Sequence, residues 1–294
     1  MKGPRGRPYF KFIEVDCLHS PMHNGSDTLI IKKVNLEIRE GEWVSIVGES
    51  GSGKTTLSRL LCGLMSASKG EILIEGRSIE ELKKRGELYR KVGYLFSNPE
   101  NQIVYPIVED DVAFGPTNLG FSLDQVKIKI EDTLKIVGME GYEKKAVALL
   151  SSGEMKKVAL AGILAMNPEA IILDEPFLMM DQKGVLEMVD ILKILRGQGV
   201  TLVSTMSSVE EAVFSDRIFI IKEGEIILEG GFREIISKRE IIENAGLNIP
   251  KMTQLIYRLR EGGMQIPVEV LDADEIADYL LNSINMKSKI FLQR

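Results

Sequence analysis

The sequence predicts an α/β fold built on a parallel sheet with crossover helices, and three observations carry that prediction. Apolar, β-branched runs at 43–47, 91–96, 170–173 and 200–205 have strand length and are separated by stretches of helical period. A glycine-rich loop, Gly48, Glu49, Ser50, Gly51, Ser52, Gly53, Lys54, Thr55, Thr56, joins the first run to a helical pattern from Leu57. Far downstream, the run at 170–173 ends in two carboxylates, Asp174 and Glu175.

Taken in order, residues 1–11 are basic and rich in glycine and proline, and read as a loose leader. Short apolar stretches at 12–15, 29–38 and 70–79 predict an antiparallel layer beside the strand that feeds the loop. The helix after the loop is expected to reach about Leu64. A helix-rich insertion occupies about 100–166, where Ser122 is placed to cap a helix with Val126, Ile130, Leu134 and Val137 on one face and Gly138 to close it. A second helix starts near Gly153, and 217–221 and 225–228 flank a hairpin turn at Gly224. The main domain then spans 12–230, and short helical segments with Pro250 and Pro267 mark an appended α-rich module over 231–294, a candidate dimer contact.

Composition narrows the classes of function. With 294 residues and 44% hydrophobic positions the chain is long enough to bury a large core. A formal charge of -6 provides no basic footprint for nucleic acid, and no apolar run is long enough to cross a bilayer. Two cysteines, Cys17 and Cys62, do not make a disulfide framework and point to a reducing compartment.

The loop at 48–56 fits GxxxxGK[ST], in which glycines let successive N–H groups point at phosphate, Lys54 adds a point charge and Thr55 offers a hydroxyl to Mg²⁺. Asp174 is placed to hold the Mg²⁺ of a bound ATP through its water shell, and Glu175 to polarise the attacking water. Upstream of that pair, Ser151, Ser152, Gly153 and Glu154 read on their own as a helix N-cap with a capping box. Cys17, His19 and His23 lie close in sequence, but Pro21 breaks any shared face and a metal site is disfavoured. The acid run Glu109, Asp110, Asp111 reads as a solvated face, and Trp43 as packing.

In this order the loop, the Leu150-Ser-Ser-Gly-Glu154 segment and the carboxylate strand resemble an ABC ATPase nucleotide-binding domain over about 12–230. The stretches 96–104 and 108–120, with 243–250, are similar to the ATP-binding A components of energy-coupling factor (ECF) importers. That resemblance implies a RecA-like core with an antiparallel β subdomain and a helical subdomain. It also implies an ATPase that pairs with a second A subunit, docks on a membrane T component at the cytoplasmic face, and energises vitamin or metal uptake through an S component. Ser151 to Glu154 would then meet the partner's ATP, together with Asp181.

Departures from the family pattern qualify this reading. Ser97 stands where the family has a glutamine that touches Mg²⁺ and water, and the resemblance puts Met206 in the place of a switch histidine; the only histidines are His19 and His23. Ser152 and Glu154 replace a glycine and a glutamine, 177–180 is bulkier than usual, and the adenine-stacking aromatic aligns near Met22. The chain is accordingly expected to be the degenerate member of a heterodimer whose own site works weakly. A non-hydrolysing ATP-binding scaffold in the same complex, or an ABC ATPase acting on nucleic acid or the ribosome, are the alternatives.

Overall fold

Alternating apolar residues give β1 (Pro8–His19) and β2 (Thr28–Arg39) one buried face each, and the two strands pair antiparallel. β3 (Trp43–Val47), buried along its whole length, runs through the glycine-rich loop into α1 (Lys54–Leu61). β4 (Lys69–Ile74) and β5 (Arg77–Ser78) complete a first sheet in the order β2-β1-β4-β5, followed by the short helices α2 (Ile79–Lys84) and α3 (Leu88–Lys91). Next come β6 (Val92–Leu95) and the inserted helices α4 (Val108–Asn118), α5 (Leu123–Ile136) and α6 (Ser152–Ala165). β7 (Ala170–Asp174), α7 (Gln182–Gly197) and β8 (Thr201–Met206) lead to a hairpin of β9 (Arg217–Lys222) and β10 (Glu225–Gly230). The second sheet has the order β10-β9-β3-β8-β7-β6 and is parallel except at β10. This computed structural model describes residues 6–19, 28–264, 266, 267, 276, 277 and 279–281.

The side-chain period of two in β3 divides the interior between two cores. Trp43 and Val47 face the core shared with α6 and α7, whereas Val44 and Ile46 face the core shared with α1 and the first sheet. Because β3, β8 and β7 are parallel neighbours, the loop at Gly48, Ser207 after β8 and Glu175 after β7 all leave the same edge.

Several expectations need correction. Pro8 to Lys11 do not belong to a leader: they open β1, where Phe10 is 0% exposed and pairs with both Ile38 and Ile74. Basic and glycine residues around them hid two aromatic anchors, Tyr9 and Phe10. α1 stops at Leu61 because Gly63 takes a φ of 69° and turns the Leu64 N–H back to the Arg59 carbonyl. β4 stops at Ile74 at a turn through Glu75 and Gly76, which frees Ile79 to begin α2. Gly231 does not begin a separately packed module either. α8 (Phe232–Ser237) and α9 (Arg239–Asn244) place Ile235, Ile236 and Ile242 in the main core, and Leu247 and Ile249 follow. A separate small cluster, Ile256 with Ile266 and Ile276, begins with α10 (Lys251–Glu261). The inserted helices match their signals: Ser122 and Gln125 close a capping box on α5.

Phe10→Ala should cost about 3–5 kcal/mol of stability in denaturant titration, as for a fully buried phenylalanine. Behaviour within about 0.5 kcal/mol of wild type would be that of a leader residue and would remove β1's N-terminal half from the core.

Candidate active site

The loop leaves β3 with no spare room. A methyl group on Gly48 would overlap the Ile221 carbonyl and the Ser52 hydroxyl, so only glycine fits where the Gly48 N–H meets the Met206 carbonyl at 3.3 Å. Gly53, with a φ of 108°, turns the chain into α1 and supplies no side-chain cap, leaving that helix N-terminus open for an anion. Lys54 is buried, and its ammonium donates to the carbonyls of Gly48 at 2.8 Å and Glu49 at 2.9 Å. Burial pushes its pKa down, against the pull of Glu175 and Asp174. Ser52 Oγ is buried and, among the described residues, has no hydrogen-bond partner. An orphaned hydroxyl, an uncapped helix and a caged lysine are the features a bound phosphate would complete, so the residues fit the nucleotide.

Asp174, 3% exposed, ends β7 beside Thr55, whose hydroxyl lies 3.3 Å from Asp174 Oδ1. Thr205 on β8 donates to the same oxygen at 2.7 Å and accepts the Glu175 N–H at 3.0 Å. One threonine thus holds the Asp174 carboxylate and the Glu175 backbone. Glu175 has a left-handed φ of 47°, and its carboxylate is 3.9 Å from the Lys54 ammonium. Hydroxyl and carboxylate oxygens of this kind suit a hard divalent cation.

Ser151, Ser152, Gly153 and Glu154 form the first turn of α6. Ser151 Oγ accepts from the Glu154 N–H, and the Glu154 carboxylate accepts from the Ser151 N–H at 2.8 Å. Tyr142 donates a further bond at 3.1 Å. These bonds, the backbone one first, hold the Glu154 carboxyl below its ordinary range. The acid that replaces glutamine is therefore tied into its own helix cap. Among the described residues no hydrogen bond joins this cap to the loop at 48–56. Asp181 caps α7 by accepting from the Gly184 N–H at 2.8 Å.

Met206 does not occupy the place opposite the loop. Its side chain is 1% exposed and its sulfur accepts from Ser45 at 3.6 Å. Strand alternation turns Ser204 and Met206 to the buried network of Trp43 and Ser45, and turns Thr205 and Ser207 to the carboxylates. The residue that meets Glu175 is Ser207, donating at 2.8 Å. Counting the period of two along 201–207 would have found it. Gln102 does not replace the glutamine missing at Ser97: its Oε1 accepts from the Phe96 N–H at 3.1 Å and its amide is directed at the Ala159 carbonyl. The acid run is not wholly solvated, because Asp111 is buried and accepts from the Val104 and Tyr105 N–H groups at 2.7 and 3.0 Å. Met22 and His23 lie outside the described residues. Sequence reasoning also missed Thr205 and Lys156, the latter 1% exposed in α6.

A GxxxxGK[ST] loop facing an Asp-Glu pair at one edge of a parallel sheet defines a P-loop nucleoside triphosphatase. The family model for ABC transporters matches residues 31–178. Energy-coupling factor transporter ATP-binding protein EcfA1 of Clostridium novyi is 40% identical over 251 residues, covering 85% of this chain and 90% of that protein. EcfA of Methanocaldococcus jannaschii is 40% identical, over 82% and 87% of the two chains. Among solved structures, CbiO1 of Clostridium perfringens, part of the ABC transporter complex CbiONQ, superposes with a TM-score of 0.72 at 31% identity, over 85% of this chain and 99% of that one. A dimeric ATP-binding cassette bound to ADP and Pi gives 0.68 at 28%, over 76% and 98%. The chain belongs to the ABC ATPases, among the ATP-binding proteins of energy-coupling factor transporters.

Burial lowers the Lys156 pKa from its ordinary 10.5 to about 8, against the opposing pull of Glu175 and Asp174. A base held less basic when folded penalises the fold most below about pH 8, and the penalty lifts as pH rises toward 10.5. The stability of wild type relative to Lys156→Met should therefore rise across that range, by an amount approaching about 3 kcal/mol. A flat difference in denaturant titrations would show that the ammonium is as well solvated folded as unfolded.

Proposed function

We propose that this chain is an ATPase subunit of an ECF-type importer whose own nucleotide site binds MgATP but turns it over slowly, and whose cap at Ser151 to Glu154, which resembles the signature segment of ABC ATPases, serves a second ATPase subunit. The observation that carries the reading is the coexistence of Lys54, Asp174 and Glu175 with Ser97, where the family pattern has glutamine, and with Ser207, not a histidine, as the residue that meets Glu175 after β8. Binding groups are kept, and the long donors that position water and γ-phosphate are replaced by short ones. Loss of one such donor typically lowers a rate on the order of 10²-fold, so two replacements slow the site well before they empty it.

In this site Gly48, Glu49, Ser50, Gly51, Ser52, Gly53, Lys54 and Thr56 would cradle the phosphates, and Thr55 with Asp174 would hold Mg²⁺. When bound, Mg²⁺ supplies charge neutralisation across the phosphates. Glu175 holds and orients water through its carboxylate, itself oriented by Ser207 and by the Thr205 bond to its N–H. Ser151, Ser152, Gly153 and Glu154 would close over the nucleotide of the partner in a head-to-tail dimer. Support for two cassettes comes from the dimeric form of the ADP-bound cassette it resembles.

The same reading places the chain on the cytoplasmic face of the membrane. On this reading attachment runs through a T component; no helix among the described residues is long and apolar enough to span a bilayer. A groove between α4 and α6, lined by Tyr89, Val104, Phe114, Gly115, Gly162 and Met166, supports that docking, with Val104 58% exposed. The solute, a vitamin or a metal ion, is chosen by an S component.

In the reconstituted transporter Lys54→Ala should lower ATPase activity less than about threefold, whereas Ser151→Ala should lower it about tenfold or more. Equal losses in steady-state turnover would contradict the asymmetry.

A further inference from the structure

Lys156 is a cation with almost no access to water, one turn inside the helix that begins with the signature cap. Its ammonium donates to two main-chain carbonyls, Leu178 at 2.8 Å and Glu175 at 3.1 Å. Both belong to the turn between β7 and α7. That turn is unusual in its backbone: Glu175 and Met179, neither a glycine, have φ values of 47° and 64°. Left-handed residues with side chains persist where neighbours over-determine them. Among the described residues, two backbone bonds close the turn, Leu178 N–H to the Glu175 carbonyl at 3.1 Å and Met180 N–H to the Phe177 carbonyl at 3.2 Å. The Lys156 ammonium crosses from α6 to join both ends of the first of these.

The same turn also touches the cap directly. Met180 packs over Gly153, close enough that a methyl group there would rest 3.5 Å from its Cε, and Asp181 begins α7. A buried cation is a costly way to fill a gap, since an apolar side chain of the same length would pack without losing hydration. Burial indeed depresses this lysine's basicity. What the ammonium does that an apolar chain cannot is to fix two carbonyls.

We propose that Lys156 is a positioning residue that braces the turn carrying Glu175 against the signature helix, so that the cap serving the partner's nucleotide and the carboxylate of this chain's own site move as one body. It touches neither substrate nor metal ligands in this arrangement and acts through Glu175 and the cap. The inference rests on the transporter-ATPase reading only for its turnover consequence; the brace itself does not depend on it.

The test compares wild type, Lys156→Met and Lys156→Gln as full chains, and again within the reconstituted transporter. Amide hydrogen exchange of residues 175–181 in Lys156→Met should speed up about tenfold, with exchange in α7 and at 48–56 unchanged. ATPase kcat should fall about tenfold with KM within about twofold, because nucleotide contacts are untouched. Lys156→Gln keeps two N–H donors on a shorter, uncharged side chain and should recover part of both. Exchange at 175–181 within about twofold of wild type, or an acceleration spread equally over the whole chain, would overturn the brace. Faster exchange with unchanged kcat would overturn the coupling alone, and the Ser151→Ala comparison would still judge the transporter reading separately.

Discussion

Everything at the nucleotide edge depends on the absence of a side chain at Gly48. There β3 emerges between β8 and β9, with the Met206 carbonyl on one side and the Ile221 carbonyl on the other. A Cβ would collide with the Ile221 carbonyl and the Ser52 hydroxyl and displace the loop. Since β3, β8 and β7 are parallel and in register, fixing the loop at that point also fixes its distance to Ser207, Asp174 and Glu175. Two hydrophobic cores, one on each face of β3, make the register expensive to shift by a single residue.

Electrostatics at this edge are balanced before any ligand arrives. Lys54, short of water, is satisfied by loop carbonyls and faces two carboxylates, while the Ser52 hydroxyl and the start of α1 remain unmet. Phosphate oxygens are the natural replacement for the carbonyls on Lys54. What the edge lacks is a long polar side chain. Serines at 97 and 207 are too short to span the distance a glutamine or histidine covers, and Gln102, the nearest glutamine in sequence to Ser97, is committed to the Phe96 N–H. The site is thus strong in binding groups and thin in groups that work on the transition state.

Much of this was legible in the sequence, for identifiable reasons. The loop, the carboxylate strand and the Ser151 and Ser122 caps are local signals: each is a short run whose chemistry is settled within a few residues, and each lies where expected. Long-range choices were not legible. Whether Tyr9 and Phe10 bury depends on β4 and β2 arriving on either side, and whether Ile235 to Ile249 join the main core depends on packing that helical texture alone does not encode. Asp111 was hidden inside a charge run because its acceptors are satisfied by a loop preceding it. The Met206 assignment failed for a different reason. It matched a position by order along the chain, whereas the strand's alternation turns Met206 to Ser45 and leaves Ser207 to meet Glu175.

The proposed function rests on one asymmetry, a site that would retain nucleotide and a cap that would work in the opposite site. It is read most directly by photo-crosslinking labelled azido-ATP in the assembled, Mg²⁺-containing transporter after a single turnover. Nucleotide attached to this chain should still be triphosphate when that attached to the partner ATPase is already diphosphate. Diphosphate formed on both subunits at the same rate would contradict the account.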